Sequence, residues 1–285
     1  MKKYTIRNFN KQFPDDDSCL EWLKDCLYPD GIHCKVCSEV TKHHRVRSRP
    51  SYSCDRCGHH VHPMAGTIYQ DTRTPLKLWF YATYLMAQTR CGISAKQLQR
   101  ELGVTYKTAW RMFRQIRSLL NEDFGPMDGA VEVDETYIGG KRRGRGKLGR
   151  GIDKASVVGV VQRGGRVVAR KTPDVSRATV LPFIRQHVLP RSIVYTDEYR
   201  TYSTLPSHGY DHRRIHHSSR VYVQGDIHTN TLEGFWSLLK RGIDGVYHAV
   251  SDEYLQSYLN EYSFRYNHRD DETPMFQTML GLVSR

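Results

Sequence analysis

Two close cysteine pairs constrain this chain more than any other feature. Cys34-Lys35-Val36-Cys37 and Cys54-Asp55-Arg56-Cys57 stand sixteen residues apart. Each pair can turn as a knuckle whose thiolates aim at one ion, and two knuckles complete a closed tetrahedral site. Four soft ligands favour structural Zn2+, with no open position for chemistry. The chain has seven cysteines, an odd number with four of them in these pairs. That favours metal ligation in a reducing compartment over a disulfide framework. No βαβ pattern surrounds either pair, so a redox motif is the weaker reading. His33, His43, His44, His59, His60 and His62 crowd the segment and offer alternative ligands, but four cysteines suffice. Cys19 and Cys26, on an expected helix over Asp17 to Leu27, read as small buried apolar side chains, as does Cys91. Arg45, Arg47, Arg49 and Arg56 make the ribbon basic, suited to docking on DNA or on a neighbouring domain.

The rest of the composition points the same way. A formal net charge of +13 implies a polyanionic partner, of which nucleic acid is the commonest, although ribosomal and membrane-surface proteins share such charge. No apolar run approaches the ~20 residues of a membrane span. No apolar segment follows Met1-Lys2-Lys3-Tyr4, so a signal peptide is not expected and a cytoplasmic location is. The 285 residues allow one large domain with one or two small ones.

Residues 72–122 read as helices. Pro75 to Gln88 carries Leu76, Trp79, Phe80, Leu85 and Met86, a buried helix. In the stretch from Ile93 to Phe113, Ser94 with Gln97 forms a capping box, Gly103 permits the left-handed turn that ends one helix, and Thr105 caps the next. Ala95, Leu98, Val104, Ala109 and Trp110 are spaced to pack the pair as a helix-turn-helix. Its second helix leads with Tyr106 and Lys107 and carries Arg111 and Arg114, the residues expected to meet DNA. An ordinary αα-hairpin with a solvated basic face is the alternative.

The second half alternates strands and helices. Val131 to Ile138, Ala155 to Gln162, Arg166 to Lys171 and Ile193 to Thr196 read as strands, with Gly164-Gly165 as a hairpin turn and Arg213 to His217 as a further strand. Thr179 to Val188 reads as a helix. The stretch from His228 to Arg241 begins another, capped by Thr229 or Asn230, with Leu232, Phe235, Trp236 and Leu239 as its apolar stripe. Glu233 and Lys240 are seven apart, which returns them to nearly one face. Gly242 to His248 reads as a turn, and Ser251 to Arg269 as a long helix with Tyr254, Leu255, Tyr258, Leu259 and Tyr262 on its core side. Between the first two strands, Lys141, Arg142, Arg143, Arg145 and Lys147 lie in a glycine-rich cationic stretch. It reads as a phosphate-binding loop or, more plainly, as a solubilising one.

Asp134 lies within the first strand, and Asp197 ends the fourth. Thirty-five residues separate Asp197 from Glu233, and Lys240 follows. This arrangement resembles the DDE transposases of bacterial insertion sequences. The cysteine pairs, Gly66-Thr67-Ile68, Leu76 with Trp79-Phe80, Thr108-Ala109-Trp110 and Arg265, Asn267 and Arg269 are similar to the subgroup with an N-terminal zinc ribbon. One departure is local: the first knuckle lacks the proline and glycine that commonly flank such cysteines, whereas the second keeps Gly58. The resemblance implies an α/β fold, with a ribonuclease-H-like core over 126–285 preceded by a helix and zinc ribbon over 1–70 and a helix-turn-helix region over 71–125. It implies Asp134, Asp197 and Glu233 as catalytic ligands of two Mg2+ or Mn2+ ions. Lys240, Asn230 and His228 assist, and Asn230 is a rival for the third ligand. Glu132, Glu135 and Glu198 are adjacent decoys. Expected partners are terminal inverted repeats, target DNA, and further copies of the chain in a dimer or larger assembly at the nucleoid. A catalytically silent DNA-binding regulator and a structure-specific nuclease are the rivals. The first would bind without cutting; the second would cut without joining.

Overall fold

The computed structural model describes residues 4–139, 154–215 and 229–284. His228 and the cationic group of Lys141, Arg142, Arg143, Arg145 and Lys147 lie outside these described residues. The chain forms two units, 1–119 with 271–285, and 120–270.

In the first unit, α1 (Ile6–Gln12) and α2 (Asp16–Leu27) precede five short strands, β1 (His33–Cys34), β2 (Glu39–Val40), β3 (His43–Val46), β4 (Ser51–Cys54) and β5 (His60–Val61). Strands β1 and β2 pair antiparallel, and β3-β4-β5 form a second antiparallel sheet. Helices α3 (Leu76–Gln88), α4 (Ala95–Leu102) and α5 (Tyr106–Ser118) follow. The local signals act where their chemistry places them. Ser94 Oγ accepts the Gln97 N–H and Thr105 Oγ1 accepts that of Thr108, while Gly103 takes φ 64° between the two helices. Pro75 stands just before α3 rather than inside it. Trp79, Phe80, Phe9 and Phe13 are buried together, with Phe13 edge-on to Phe80.

The second unit is a three-layer structure. Its sheet holds β6 (Ala130–Ile138), β7 (Ala155–Gln162) and β8 (Val167–Thr172), then, after α6 (Arg177–His187), β9 (Ile193–Thr196) and β10 (Asp211–Arg214). The strand order is β10-β9-β6-β7-β8. Strands β6, β7 and β8 run antiparallel in turn, whereas β9 is parallel to both β6 and β10. Two-residue alternation splits β7 between faces. Val158 and Val160 pack with Val180 and Ile184 of α6, and Val157 and Val161 pack beneath α7 (Asn230–Gly242) and α8 (Leu255–Asn267). Burial of valines on both faces explains the near-continuous apolar run of β7.

Several expected boundaries move. The last sheet strand is Asp211–Arg214 and so begins two residues before the expected Arg213, while residues 216–217 of the expected strand lie outside the described residues. Helix α8 starts at Leu255, because residues 251–254 form a turn closed by the Tyr254 N–H on the Ser251 carbonyl. Gly242 belongs to α7, and a π-helical turn spans Ile243–Tyr247. Helix α9 (Met275–Gly281) lies in the span 126–285 expected to be the catalytic domain. It groups instead with the first unit, where Phe276 meets the rings of Tyr4, Phe9, Phe13 and Tyr84.

Candidate active site and zinc centre

The four cysteines converge. Their sulfurs lie within 4.8 Å of one another, with Cys34 Sγ 3.5 Å from Cys57 Sγ and Cys37 Sγ 3.9 Å from Cys54 Sγ. A tetrahedral zinc with bonds of about 2.3 Å holds its sulfurs about 3.8 Å apart, so the quartet fits the ion. The Thr41 hydroxyl, 3.2 Å from Cys54 Sγ, and backbone N–H groups hold that thiol down at about 5. Its partner Cys37 is pushed up to about 12, first by its contact with Cys57. Four thiolates so close need a cation between them. Both knuckles close alike: the Ser38 N–H reaches the Cys34 carbonyl at 2.9 Å and the Gly58 N–H reaches that of Cys54 at 3.0 Å. Ser38 takes φ 58° where Gly58 takes 71°. The first knuckle therefore keeps its turn without glycine, at the cost of a left-handed serine.

In the second unit a cleft of about 830 Å³ is bordered by Asp134, Glu135, Glu233, Trp236 and Lys240. Strand β6 sets its floor. By alternation, Glu132 and Asp134 face α7, whereas Glu135 turns to the opposite side and accepts a bond from the Tyr202 hydroxyl. Glu132 is fully buried and accepts bonds from Arg163 Nε and Thr231 Oγ1, each at 2.9 Å, and from the Leu232 N–H at 3.0 Å. It thus satisfies an orphan donor at the start of α7. One turn later, Trp236 Nε1 donates to Asp134 Oδ2 at 3.0 Å. Two carboxylates on one strand face therefore fix the position of α7.

Gly159, paired with Asp134 across β6 and β7, makes that fit possible. A Cβ there would lie 2.5 Å from Trp236 Cζ2 and 2.7 Å from Cη2. The indole lies on bare backbone, and its N–H reaches the carboxylate because no side chain intervenes.

Glu233 sits on the cleft side of α7 and accepts the Thr229 hydroxyl at 2.9 Å. Thr229 is the N-cap residue, but its side chain serves Glu233 rather than a helix N–H. Lys240 borders the same cleft, and Asn230 starts α7 outside its lining. Asp197 follows β9, its Oδ1 accepting the Tyr199 N–H at 2.9 Å. Glu132 pairs with Tyr195 in the parallel register, and two further steps bring Asp134 level with Asp197. The two charges interact. Burial first, then Glu135 and Asp197, push the Asp134 carboxyl up to about 7. Burial also raises Glu135, against the Tyr202 bond that lowers it. Among the described residues, neither Asp134, Asp197 nor Glu233 forms an ion pair. Among the described residues the four cysteines form a cluster that could hold a metal ion, and Asp134, Asp197 and Glu233 do not form a second one.

Residues 126–267 match the ISXO2-like transposase domain, and residues 14–60 match the transposase zinc-ribbon domain. A transposase-like protein of Haemophilus influenzae is 36% identical over 98 residues, 34% of this chain and 78% of the relative. The chain belongs to the ISXO2-like transposase family. A protein of the transposable element ISH50 from Halobacterium salinarum is 28% identical over 275 residues, 90% of this chain and 92% of its own. Membership with a zinc ribbon implies DNA binding and a chemistry of cutting and joining DNA. No helix among the described residues is long and apolar enough to cross a membrane.

Of the residues expected at DNA, Tyr106 and Lys107 are exposed at the start of α5, with Lys96 Nζ 4.8 Å from the Tyr106 ring centre. Arg111 turns back toward α3, its Nη2 3.4 Å from Thr72 Oγ1 and its guanidinium 5.7 Å from the Trp79 ring centre. Arg114 lies over Trp110. Sequence reading missed the roles of Glu132, Gly159 and the Trp236 N–H. The two-residue step from Glu132 to Asp134 was the available signal.

Proposed function

We propose that this transposase binds the terminal inverted repeats of its element, frees 3′-OH ends and joins them to target DNA, with Asp134, Asp197 and Glu233 as its catalytic carboxylates. The observation that carries this reading is a cleft lined by Asp134 and Glu233, with Asp197 near enough to raise the Asp134 carboxyl and none of the three in an ion pair among the described residues, in a chain of net charge +13. Glu132 beside them is paired with Arg163, whereas Asp134, Asp197 and Glu233 are left without a counter-ion among the described residues. All-oxygen donors with uncompensated charge suit hard divalent cations. Two Mg2+ or Mn2+ ions, when bound, supply charge neutralisation at the attacking and leaving oxygens. The Trp236 N–H orients the Asp134 carboxylate, Thr229 orients Glu233, and Lys240 offers a cation to a phosphate in the cleft. Asn230 stays the rival third ligand, but the cleft lining favours Glu233. In the first reaction water attacks a phosphodiester and the 3′-oxygen leaves as a hydroxyl. In the second, that hydroxyl attacks a target phosphodiester and displaces another 3′-oxygen.

The sheet supports a ribonuclease-H-like core: three antiparallel strands, then two strands parallel to the first, with the first and fourth adjacent. The capped helices α4 and α5 about Gly103 support a helix-turn-helix. We further read the protein as working in a dimer or larger assembly, because two ends must be processed together.

Purified protein incubated with Mg2+, supercoiled plasmid and labelled duplex of the flanking repeats should yield joined product, and Asp197→Ala should yield none. Specific binding without cutting in Mg2+ or Mn2+ would instead identify a regulator. Structure-selective cutting without joining would identify a nuclease.

A further inference from the structure

A second cavity, of about 340 Å³, lies within the first unit, between the β3–β4 turn and the segment leading into α3. Arg45, Arg47, Arg49 and Arg73 border it, against Asp16 and Asp17. The carboxylates are already engaged. Asp17 Oδ1 accepts from Arg45 Nη2 at 2.7 Å, and Asp16 Oδ1 accepts the Lys77 N–H at 2.8 Å at the start of α3. Arg45 also donates to the carbonyls of Val46, Arg49 and Ser51, so it braces the turn from within. That bracing leaves Arg47 and Arg49 on the turn and Arg73 on the facing segment, all three exposed. None of these three has a carboxylate partner among the described residues. Four arginines against two aspartates leave the cavity doubly positive.

We propose that this cavity is a phosphate clamp in which Arg47, Arg49 and Arg73 grip a phosphodiester of duplex DNA. Guanidinium suits such a grip because it is planar, always charged, and able to give two parallel N–H bonds to two phosphate oxygens. The cavity adjoins α5. Thr72 lines it, and Arg111 of α5 reaches the Thr72 hydroxyl. A strand held in the clamp therefore runs beside the helix read as entering the groove, so ribbon and helix engage one duplex. The clamp positions that duplex and reads no bases, since phosphate contacts carry no sequence information. Arg45 is a brace and not a contact.

The proposal rests on the reading of the chain as a DNA-end-binding protein, but its test needs no catalysis. Binding of the zinc-loaded full chain to a labelled repeat duplex and to a scrambled duplex is measured by anisotropy without Mg2+, across a salt series. Arg47→Gln with Arg49→Gln, and Arg73→Gln separately, should lower the slope of log K against log salt by about 0.9 for each contact removed. At 0.1 M salt that corresponds to roughly eightfold weaker binding per contact, equally on both duplexes. Arg73→Lys, which keeps the charge, should retain the slope. An unchanged slope in variants that still hold zinc would overturn the clamp, as would a loss confined to the repeat duplex, which would mean base readout. A change in oligomeric state with the DNA slope intact would assign the cavity to a second copy of the chain. Each of these failures leaves the joining assay with Asp197→Ala unaffected, so clamp and catalytic reading fail separately.

Discussion

Gly159→Ala isolates the device that seats α7. Glycine inside a strand ordinarily costs roughly 0.5–1 kcal/mol relative to alanine, so substitution on an open strand should stabilise. Here the new Cβ would meet Trp236 at 2.5 and 2.7 Å and Leu232 Cδ1 at 3.2 Å. If the indole stays, the overpacked contact costs about 1–3 kcal/mol. If it swings away, the Trp236–Asp134 bond is lost, and bonds to charged groups contribute about 1.5–3 kcal/mol. Either route predicts a loss of about 2 kcal/mol, or roughly 4–8 °C in Tm for a unit of this size. A displacement of α7 approaching 1 Å would slow joining on the order of a hundredfold. The assay is thermal unfolding of four proteins: wild type, Gly159→Ala, Trp236→Leu and the double variant. Because leucine leaves room above Gly159, alanine should cost little in that background, giving a coupling of about 1–2 kcal/mol. A stabilising Gly159→Ala, or an equal cost with and without the indole, would refute the account.

Other consequences follow from the same contacts. The Asp134 carboxyl stands at about 7 in the folded chain against an ordinary 3.8. The folded state therefore binds the extra proton between these values, and its contribution to stability is present at pH 4 and lost as pH rises through 7, by a few kcal/mol at most. Metal-free Tm measured against pH should show this fall, Asp134→Asn should flatten it, and Mg2+ should raise Tm more at pH 8 than at pH 5. Glu132→Ala strands Arg163 and frees the start of α7, with a loss of about 3–5 kcal/mol in chemical denaturation. Ser38→Gly relieves a left-handed serine and should stabilise the zinc-loaded ribbon by about 0.5–1 kcal/mol in thermal unfolding. Cys54→Ala should release zinc, seen by metal analysis, and abolish DNA binding while the sheet of the second unit keeps its far-ultraviolet signal.

Local chemistry made much of this fold legible in the sequence. The β-branched runs at Ala155–Gln162 and Ile193–Thr196 bound their strands to the residue. Ser94, Gly103 and Thr105 mark the ends of α4 and α5 because each satisfies a helix terminus by itself. The cysteine pairs announced their cluster for the same reason, four like ligands at fixed spacing. What escaped was decided by partners far along the chain. Glu132 reads as a decoy until Arg163, Thr231 and Leu232 are seen to converge on it. Gly159 reads as a weak point in a strand until Trp236 covers it. Tyrosines at helical spacing suggested a helix from residue 251, but the chain turns there first, and no capping signal marked the start at Leu255.

The central claim, that Asp134, Asp197 and Glu233 hold the catalytic ions, is tested most directly by a metal-specificity switch. Asp197→Cys replaces a hard oxygen ligand with sulfur, which Mg2+ disfavours and Mn2+ tolerates better. Strand joining by this variant should be lost in Mg2+ and regained in Mn2+, while Asp197→Ala stays inactive in both. Joining that persists in Mg2+, or an equal loss in both ions by a variant that still binds the repeat duplex, would contradict the assignment.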